Sequence, residues 1–389
     1  MSDAVGFAER SLTMETVGYS DFSMDLHRKV VSSRIPLNGM IEVTRGCTLK
    51  CVHCYNNLSS AQTASENELT YEEHCRILDE ITEAGCLWLL FTGGEIFARK
   101  DFLRIYTYAK KKGLIITLFT NGTLIDKHVA DTLADWWPFL VEITIYGRTK
   151  ETFEHVTGVP GSYERCMEGI RLLMERRIPL KLKTMALRIN KHEIWEMKRF
   201  AEENLGLKFR FDPIVNPRID YDQDPLRLRL TPREIVEMDL QDPRRLADWK
   251  KLAERSITAT QALELRKELY YCNGGVTAFT IDPYGKMGLC MLSTHDRFDL
   301  RRGSFREGWE NYLSGIRKKK VTRQTKCVAC GIKIMCGMCP PSGDLENRDA
   351  EQPVDFFCRL AHLRAYTFGV PVPAHGDCEY CNGTSVLES

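Results

Sequence analysis

The chain lacks any run of about 18 apolar residues, so no transmembrane helix is expected. It also lacks a charge imbalance: 54 Lys and Arg stand against 53 Asp and Glu, a net charge of +1. Nothing in that balance favours nucleic acid or an acidic membrane surface as a partner. The opening run, Met1-Ser-Asp-Ala-Val-Gly-Phe-Ala-Glu-Arg10, has no basic segment followed by an apolar core, so no secretory signal is expected. Cysteine is what the chain has in abundance, 15 residues in 389. Without export these do not read as a disulfide framework. In a reducing cytoplasm, the expected location, so many thiols point to metal sites. The length suits two or three domains, or one large domain with an appendage.

Cys47, Cys51 and Cys54 share the run Thr44-Arg-Gly-Cys-Thr-Leu-Lys-Cys-Val-His-Cys-Tyr55. Three thiolates on one short loop can hold three irons of a [4Fe–4S] cluster and leave the fourth open. Clusters that only carry electrons normally have four Cys ligands. An open iron is a reaction site. A structural zinc site or a disulfide pair is the alternative. Zinc sites usually pair C-x2-C with a second such pair or with H-x3-5-H. Here the local set is three Cys, with His53 between two of them and expected to face away. The loop, with aromatic Tyr55 just after it, resembles the signature of the radical S-adenosylmethionine (radical SAM) superfamily. The resemblance implies that SAM chelates the open iron through its amino and carboxylate groups. One electron then cleaves SAM to a 5′-deoxyadenosyl radical, which abstracts a hydrogen atom. A reducing partner such as flavodoxin or ferredoxin is implied as well.

The first half alternates short apolar runs with helical periods. Strands are expected at 39–44, 87–92, 114–119, 141–145, 180–185 and 208–211. Helices are expected at 70–84, opened by a Thr70/Glu73 capping box, then 101–112, 126–136, 163–176 and 191–204. Strands of about six residues alternating with 12-residue helices argue for parallel βα units. The fold class is α/β, an open partial (β/α)6 barrel, which is also the architecture the resemblance implies. In such folds ligands sit at the C-terminal ends of strands.

The candidate site residues fall there. Phe91-Thr-Gly-Gly-Glu95 follows the second strand. Gly93 and Gly94 let backbone approach a ligand, and Glu95 can accept from a cationic amine. This resembles the family's Gly-Gly-Glu motif, which holds the methionyl amino group of SAM. Thr120-Asn-Gly122 resembles the ribose-contacting segment; a plain strand-to-helix turn is the alternative. Thr144 and Tyr146 end the fourth strand, where a hydroxyl can reach the ribose or carboxylate. Arg165 is a candidate fork for the SAM carboxylate, against an ordinary solvated helix charge. Tyr55 is expected to border the adenine, or simply to pack under the cluster. Cys75, Cys86 and Cys166 lie among apolar residues and read as small buried hydrophobes.

The second half begins with an Asp-, Arg-, Pro- and Leu-rich connector, with helices expected at 232–241, 242–255 and 260–269. Cys272, Gly285 and Cys290 then bracket an expected β-hairpin with an Asp282-Pro-Tyr-Gly285 turn. Cys327-x2-Cys330-x5-Cys336-x2-Cys339 follows, and Cys358 ends the series. The pattern resembles the SPASM domain, except that the last gap is x2 where the family has x3. The resemblance implies two auxiliary [4Fe–4S] clusters. Cys272, Cys290 and Cys339 would serve the first, with its fourth ligand unassigned. Cys327, Cys330, Cys336 and Cys358 would serve the second. Zinc sites are the alternative reading of the same array. The tail, His375-Gly-Asp-Cys-Glu-Tyr-Cys381, adds another C-x2-C. It is open to three readings: the missing cluster ligand, a separate metal site, or a redox pair. The expected division is an N-terminal extension 1–38, a barrel 39–212, a connector 213–270, a SPASM domain 271–368 and a tail 369–389.

Many radical SAM–SPASM enzymes crosslink or oxidise ribosomally made peptides, so peptide maturation is the first expectation. A separate leader-recognition protein is an expected partner, because about 40 residues before the first strand leave little room for such a domain. Haem-type oxidative decarboxylation, alcohol oxidation and sulfatase maturation are the alternatives of the same chemistry. A zinc-organised binding protein without activity is the alternative of another class. No residue is assigned as a catalytic acid or base.

Overall fold

The structure, a computed structural model, describes residues 19–58, 67–259 and 268–382. Helix α1 (Tyr19–Val31) precedes β1 (Asn38–Glu42). Then come α2 (Tyr71–Glu83), β2 (Trp88–Thr92), α3 (Phe102–Lys111), β3 (Ile115–Thr120), α4 (Lys127–Asp135) and β4 (Leu140–Thr144). Helices α5 (Lys150–Thr157) and α6 (Ser162–Glu175) lead to β5 (Leu180–Met185), and α7 (Ile194–Arg199) to β6 (Lys208–Asp212). Strands β1 to β6 pair parallel in sequence order. The sheet ends at β6 on that side and is not closed into a barrel.

Helices α8 (Pro232–Gln241) and α9 (Pro243–Ala259) form the connector. The hairpin β7 (Ala278–Ile281) and β8 (Lys286–Gly288) turns at Gly285, whose φ is +77° and whose N–H donates to Asp282 O at 3.0 Å. Strand β7 pairs parallel with β1, so the second half extends the same sheet instead of standing apart. A short β9 (Phe298–Asp299) closes that edge. The short helices α10 (Phe305–Glu307) and α11 (Ser314–Arg317) follow, and α12 (Pro340–Asn347) and α13 (Asp355–Thr367) carry the last part.

Ile41, Phe91, Ile116, Leu118, Val141 and Leu182 of the strands are fully buried in one apolar core with residues of the flanking helices, among them Ile77 of α2, Ile105 of α3, Leu133 of α4 and Leu173 of α6. Burial of that apolar layer is the main source of stability, at about 25 cal/mol per Å². The Thr70/Glu73 capping box is present: Thr70 N–H donates to Glu73 at 2.7 Å, and Glu73 N–H to Thr70 Oγ1 at 3.2 Å.

Three expectations need correction. Helix α5 was not expected; Thr149 caps its start by accepting from Thr152 N–H, and Gly158 ends it at φ +65°. Helix α1 lies within the expected N-terminal extension, 1–38, for which no element had been assigned. The helix expected at 191–204 is broken into a 3₁₀ turn (Lys191–Glu193), α7 and a π turn (Phe200–Asn204). The helix expected at 260–269 lies outside the described residues, apart from its end, where Glu268 forms an isolated bridge to Lys320. Among the described residues no helix is long and apolar enough to cross a membrane.

Candidate functional site

The cysteine loop hangs from the C-terminal end of β1 and is tied down on three sides. Arg45 and Glu42 form an ion pair at 2.9 Å, with both side chains almost fully buried. Glu42 also accepts from the Tyr55 hydroxyl at 3.0 Å, and Arg45 donates to Asn56 Oδ1. Glu68 accepts from Thr44 Oγ1 at 3.0 Å and from Arg45 N–H at 2.7 Å. From the far side the end of α5 grips the loop: Lys50 N–H donates to Thr157 O at 2.8 Å and Val52 N–H to Val156 O at 3.1 Å. A helix missed in the sequence therefore fixes the loop that was easiest to see in it.

Backbone donors point at the thiols. Leu49 N–H lies 3.4 Å from Cys47 Sγ, and Asn56 N–H 3.4 Å from Cys54 Sγ. Burial pushes the Cys47 thiol up to about 12, with Glu95 and the Cys54 thiolate adding to it. Cys51 and Cys54 are raised as well, again chiefly by burial. Three such thiols side by side need a cation to become thiolates near neutral pH. The donor set therefore fits a cationic metal group bound at this loop.

The Gly-Gly-Glu run packs directly on the loop's first residues. Gly94 N–H donates to Thr44 O and Glu95 N–H to Gly46 O, both at 2.8 Å. A Cβ on Gly93 would lie 2.5 Å from Thr44 O, and one on Gly94 2.3 Å from Gly46 O. Only glycine permits this contact. Glu95 is buried behind the two glycines, its oxygens taken by Thr120 Oγ1 at 2.6 Å, Asn121 N–H at 2.7 Å and Phe97 N–H at 3.2 Å. It braces the loop after β3 against the loop after β2. Burial raises its pKa, and these three hydrogen bonds oppose the rise.

A cavity of about 430 Å³ opens at the strand ends. Cys54, Tyr55, Gly93, Gly94, Thr120, Asn121 and Thr144 all line it, as do Tyr146 and His53. His53 does not face solvent: its ring stands 5.2 Å from that of Tyr146, and burial lowers its pKa to about 4. Two predicted contact residues do not line the cavity: Glu95, whose oxygens are held by Thr120, Asn121 and Phe97, and Arg165. Arg165 sits on the exposed face of α6, over a separate depression shared with Glu164, Glu168 and Arg171. Lys183 and Arg210 face the cavity and were not singled out in the sequence; both pair with Glu142, at 3.3 and 2.8 Å. The alternations Leu180-Lys-Leu-Lys in β5 and Lys208-Phe-Arg-Phe in β6 were their local signals.

In the second half the cysteines gather into two sets. Cys290 is raised by burial and then by the nearby Cys339 and Cys272 thiolates. Burial pushes Cys336 up to about 12, and the Cys327 and Cys330 thiolates add to it. Cys358 is raised too, with Cys378 and Cys327 among its neighbours. Cys327, Cys330, Cys336 and Cys358 border one cavity of about 100 Å³, and Cys339 reaches it as well as the first set. The tail cysteines approach this second set, with Cys378 Sγ 3.8 Å from Cys358 Sγ, so they do not supply a fourth ligand to the first. Met291 and Leu292, next to Cys290, line the large cavity as well. Cys86 and Cys166 are buried as expected, whereas Cys75 is partly exposed.

Residues 41–201 match the model of the Radical SAM superfamily. The chain carries a radical SAM domain. It is similar to an AdoMet-dependent heme synthase of Methanosarcina barkeri, 27% identical over 327 residues, 77% of this chain and 89% of that protein. It is also similar to a PqqA peptide cyclase of Bradyrhizobium diazoefficiens, 31% identical over 160 residues, 41% of this chain and 42% of the cyclase. The fold resembles that of Streptococcus suis SuiB bound to its precursor peptide SuiA. The TM-score is 0.65 at 17% identity, covering 91% of this chain and 84% of SuiB. It resembles anSMEcpe with bound AdoMet at a TM-score of 0.60 and 17% identity, over 86% and 93% of the two chains. The radical SAM domain brings with it SAM and a [4Fe–4S] cluster, which the thiols and glycine cradle described above fit.

Proposed function

We propose that this radical SAM enzyme removes a hydrogen atom from a peptide side chain, to crosslink or oxidise it, with two auxiliary clusters assisting. When bound, the SAM-binding cluster and SAM supply a 5′-deoxyadenosyl radical able to break an unactivated C–H bond. Cys47, Cys51 and Cys54 would each hold one iron. Gly93 and Gly94 would admit the methionyl end of SAM, with Asn121 on the wall it meets and Glu95 bracing Asn121 from behind. Thr120 and Thr144 offer hydroxyls to the ribose or carboxylate, and Tyr55 an aromatic edge to the adenine. Met40, Phe119, Tyr146, Met185 and Val215 give the cavity an apolar lining that excludes water around a reactive carbon.

The observation that carries the reading is the reach of one cavity from Cys54 to Met291 and Leu292, beside Cys290. Residues 39–212 and 271–368 thus meet at one chamber, which would give an electron leaving the substrate a route toward the first auxiliary set. Cys272, Cys290 and Cys339 would hold that cluster with one iron free of cysteine. Cys327, Cys330, Cys336 and Cys358 would hold the second. The peptide-bound neighbour and the PqqA peptide cyclase support the substrate class. A leader-recognition protein and a low-potential flavodoxin or ferredoxin complete the proposed partners.

A second reading has its own support. Lys183 and Arg210 put cationic groups on the cavity wall, which suits a carboxylate, and the heme synthase aligns over most of the chain. The test is anaerobic reconstitution, iron and sulfide analysis, then SAM and dithionite with product analysis. About 12 irons per chain and 5′-deoxyadenosine are expected. About four irons with the same product would remove the auxiliary clusters. Replacing Cys47, Cys51 and Cys54 by Ala should abolish cleavage and leave the C-terminal iron in place. A mass change in a short peptide encoded beside the gene supports the first reading; turnover of a haem-precursor carboxylate instead would replace it.

A further inference from the structure

The cysteines assigned to clusters leave one chemically coherent group unused. His362 lies on α13, and His375, Cys378 and Cys381 on the tail that folds back against it. Their ligand atoms all lie within 4.8 Å of one another, and both histidines are almost completely buried. We propose that these four residues bind one zinc ion, separate from the iron–sulfur sites, and that the ion fastens the tail over the second cysteine set.

The distances suit a tetrahedral ion. With Zn–S of about 2.3 Å and Zn–N of about 2.1 Å, the edges of such a site are about 3.6 Å. Cys378 Sγ lies 3.5 Å from His362 Nε2, and Cys381 Sγ 3.8 Å from the same nitrogen. Cys381 Sγ is 4.0 Å from His375 Nε2 and 3.3 Å from His375 Nδ1, so a slight turn of that ring brings Nε2 to the ion. The rings are also held in the right tautomer. His362 Nδ1 is 2.7 Å from the Cys358 carbonyl, and His375 Nδ1 2.8 Å from the Pro373 carbonyl. A carbonyl can only accept, so each Nδ1 carries the proton and each Nε2 presents a lone pair. The two rings lie nearly parallel, 5.7 Å apart and 22° inclined.

The tail is shaped around this point. Gly376 turns at φ +50°, against the backbone of Lys326. Tyr366 on α13 donates to the carbonyls of Tyr380 and Cys381, each at 2.8 Å. Tyr380 donates to Asp355 at the start of the same helix. Two cysteines and two histidines are a preferred structural zinc set, and a site with four protein ligands leaves no open position for catalysis. Its role is therefore structural. Cys358 fixes the boundary: its carbonyl orients His362, and its sulfur faces the cavity of the second set. Zinc there closes the side of that cavity on which His375 lies.

The competing assignment makes Cys378 a ligand of the second cluster, since its sulfur is 3.8 Å from that of Cys358. Metal analysis of the anaerobically purified full chain separates the two. One zinc per chain is expected, in addition to iron. The double variant Cys378→Ser, Cys381→Ser should lose the zinc and keep its iron. X-ray absorption at the zinc edge of the unsubstituted protein needs no variant: two sulfurs at about 2.3 Å and two nitrogens at about 2.0–2.1 Å are expected. A chain that takes up no zinc, a zinc shell without two sulfurs and two nitrogens, or a double variant that loses iron and keeps zinc overturns the proposal. None of these outcomes bears on whether SAM is cleaved, so failure here leaves the proposed activity standing.

Discussion

The side-chain amide of Asn121 donates to the sulfur of Cys47 across 3.7 Å, joining the loop after β3 to the cysteine loop after β1. Its backbone N–H meanwhile binds Glu95 at 2.7 Å, so its position is set independently of the cysteine. Hydrogen bonds to cluster sulfurs help to set reduction potential. The bond favours the more negative, reduced state, so removing it should lower the potential. A difference of about 1 kcal/mol corresponds to about 40 mV for one electron. Asn121→Leu should therefore shift the SAM-binding cluster down by about that amount, read by potentiometry with electron paramagnetic resonance. An unchanged potential would remove Asn121 from the cluster's surroundings.

Gly94 tests the cradle. An added methyl would meet two main-chain oxygens, of Gly46 at 2.3 Å and Arg45 at 2.5 Å, and neither can swing aside as a side chain would. Gly94→Ala should cost about 1–3 kcal/mol of stability and weaken SAM binding, measured by thermal unfolding and calorimetric titration. Gly315 in α11 has nothing within 4 Å of its Cβ position, so Gly315→Ala should be neutral or slightly stabilising. Equal behaviour of the two variants would mean the cradle is looser than its geometry.

Arg165 supplies the opposite expectation. Because it stands on the exposed face of α6 and outside the large cavity, Arg165→Ala should leave SAM affinity within about twofold, as exposed substitutions usually do. A tenfold loss would return it to the site.

Arg165 also marks the limit of what the chain spells out locally. The six βα units, the Thr70 cap and the glycines after β2 and β3 are legible because propensity, capping and turn chemistry act within a few residues. The gathering of Cys272 with Cys290 and Cys339 was legible through a family resemblance, which encodes long-range contact as spacing. Whether a helical arginine faces a cavity depends on how its helix rolls on the sheet, which its neighbours in sequence do not state. The same holds for His362, silent on α13 until the tail returns to it. Helix α5 is a different kind of miss. Its Thr149 cap and Gly158 terminator were present, but at eight residues it gives too short a periodicity to stand out.

Lys183 gives the clearest pH dependence. Its ammonium lies 2.8 Å from the centre of the Phe119 ring and 3.3 Å from Glu142, with Lys181 and Arg210 as the other charges nearby. Burial lowers its pKa to about 7, only partly offset by Glu142. The unfolded chain would keep this lysine protonated up to about 10.4. Below about 7 both states are charged, and the native state bears the full cost of burying the cation. Between about 7 and 10 the native state has lost the proton while the unfolded state still binds it, so stability rises with pH through this group. Lys183→Met removes the cost and leaves Glu142 paired with Arg210 at 2.8 Å. The variant should exceed the wild type in melting temperature most at pH 6, by the equivalent of about 1–3 kcal/mol, and the gap should narrow toward pH 9.5. A gap that is constant with pH, or that widens as pH rises, would show that Lys183 does not titrate in this range. Measured on the anaerobic holoprotein, the comparison also bears on the substrate. A carboxylate bound beside Lys183 would hold the cation charged and move the onset of the narrowing to higher pH.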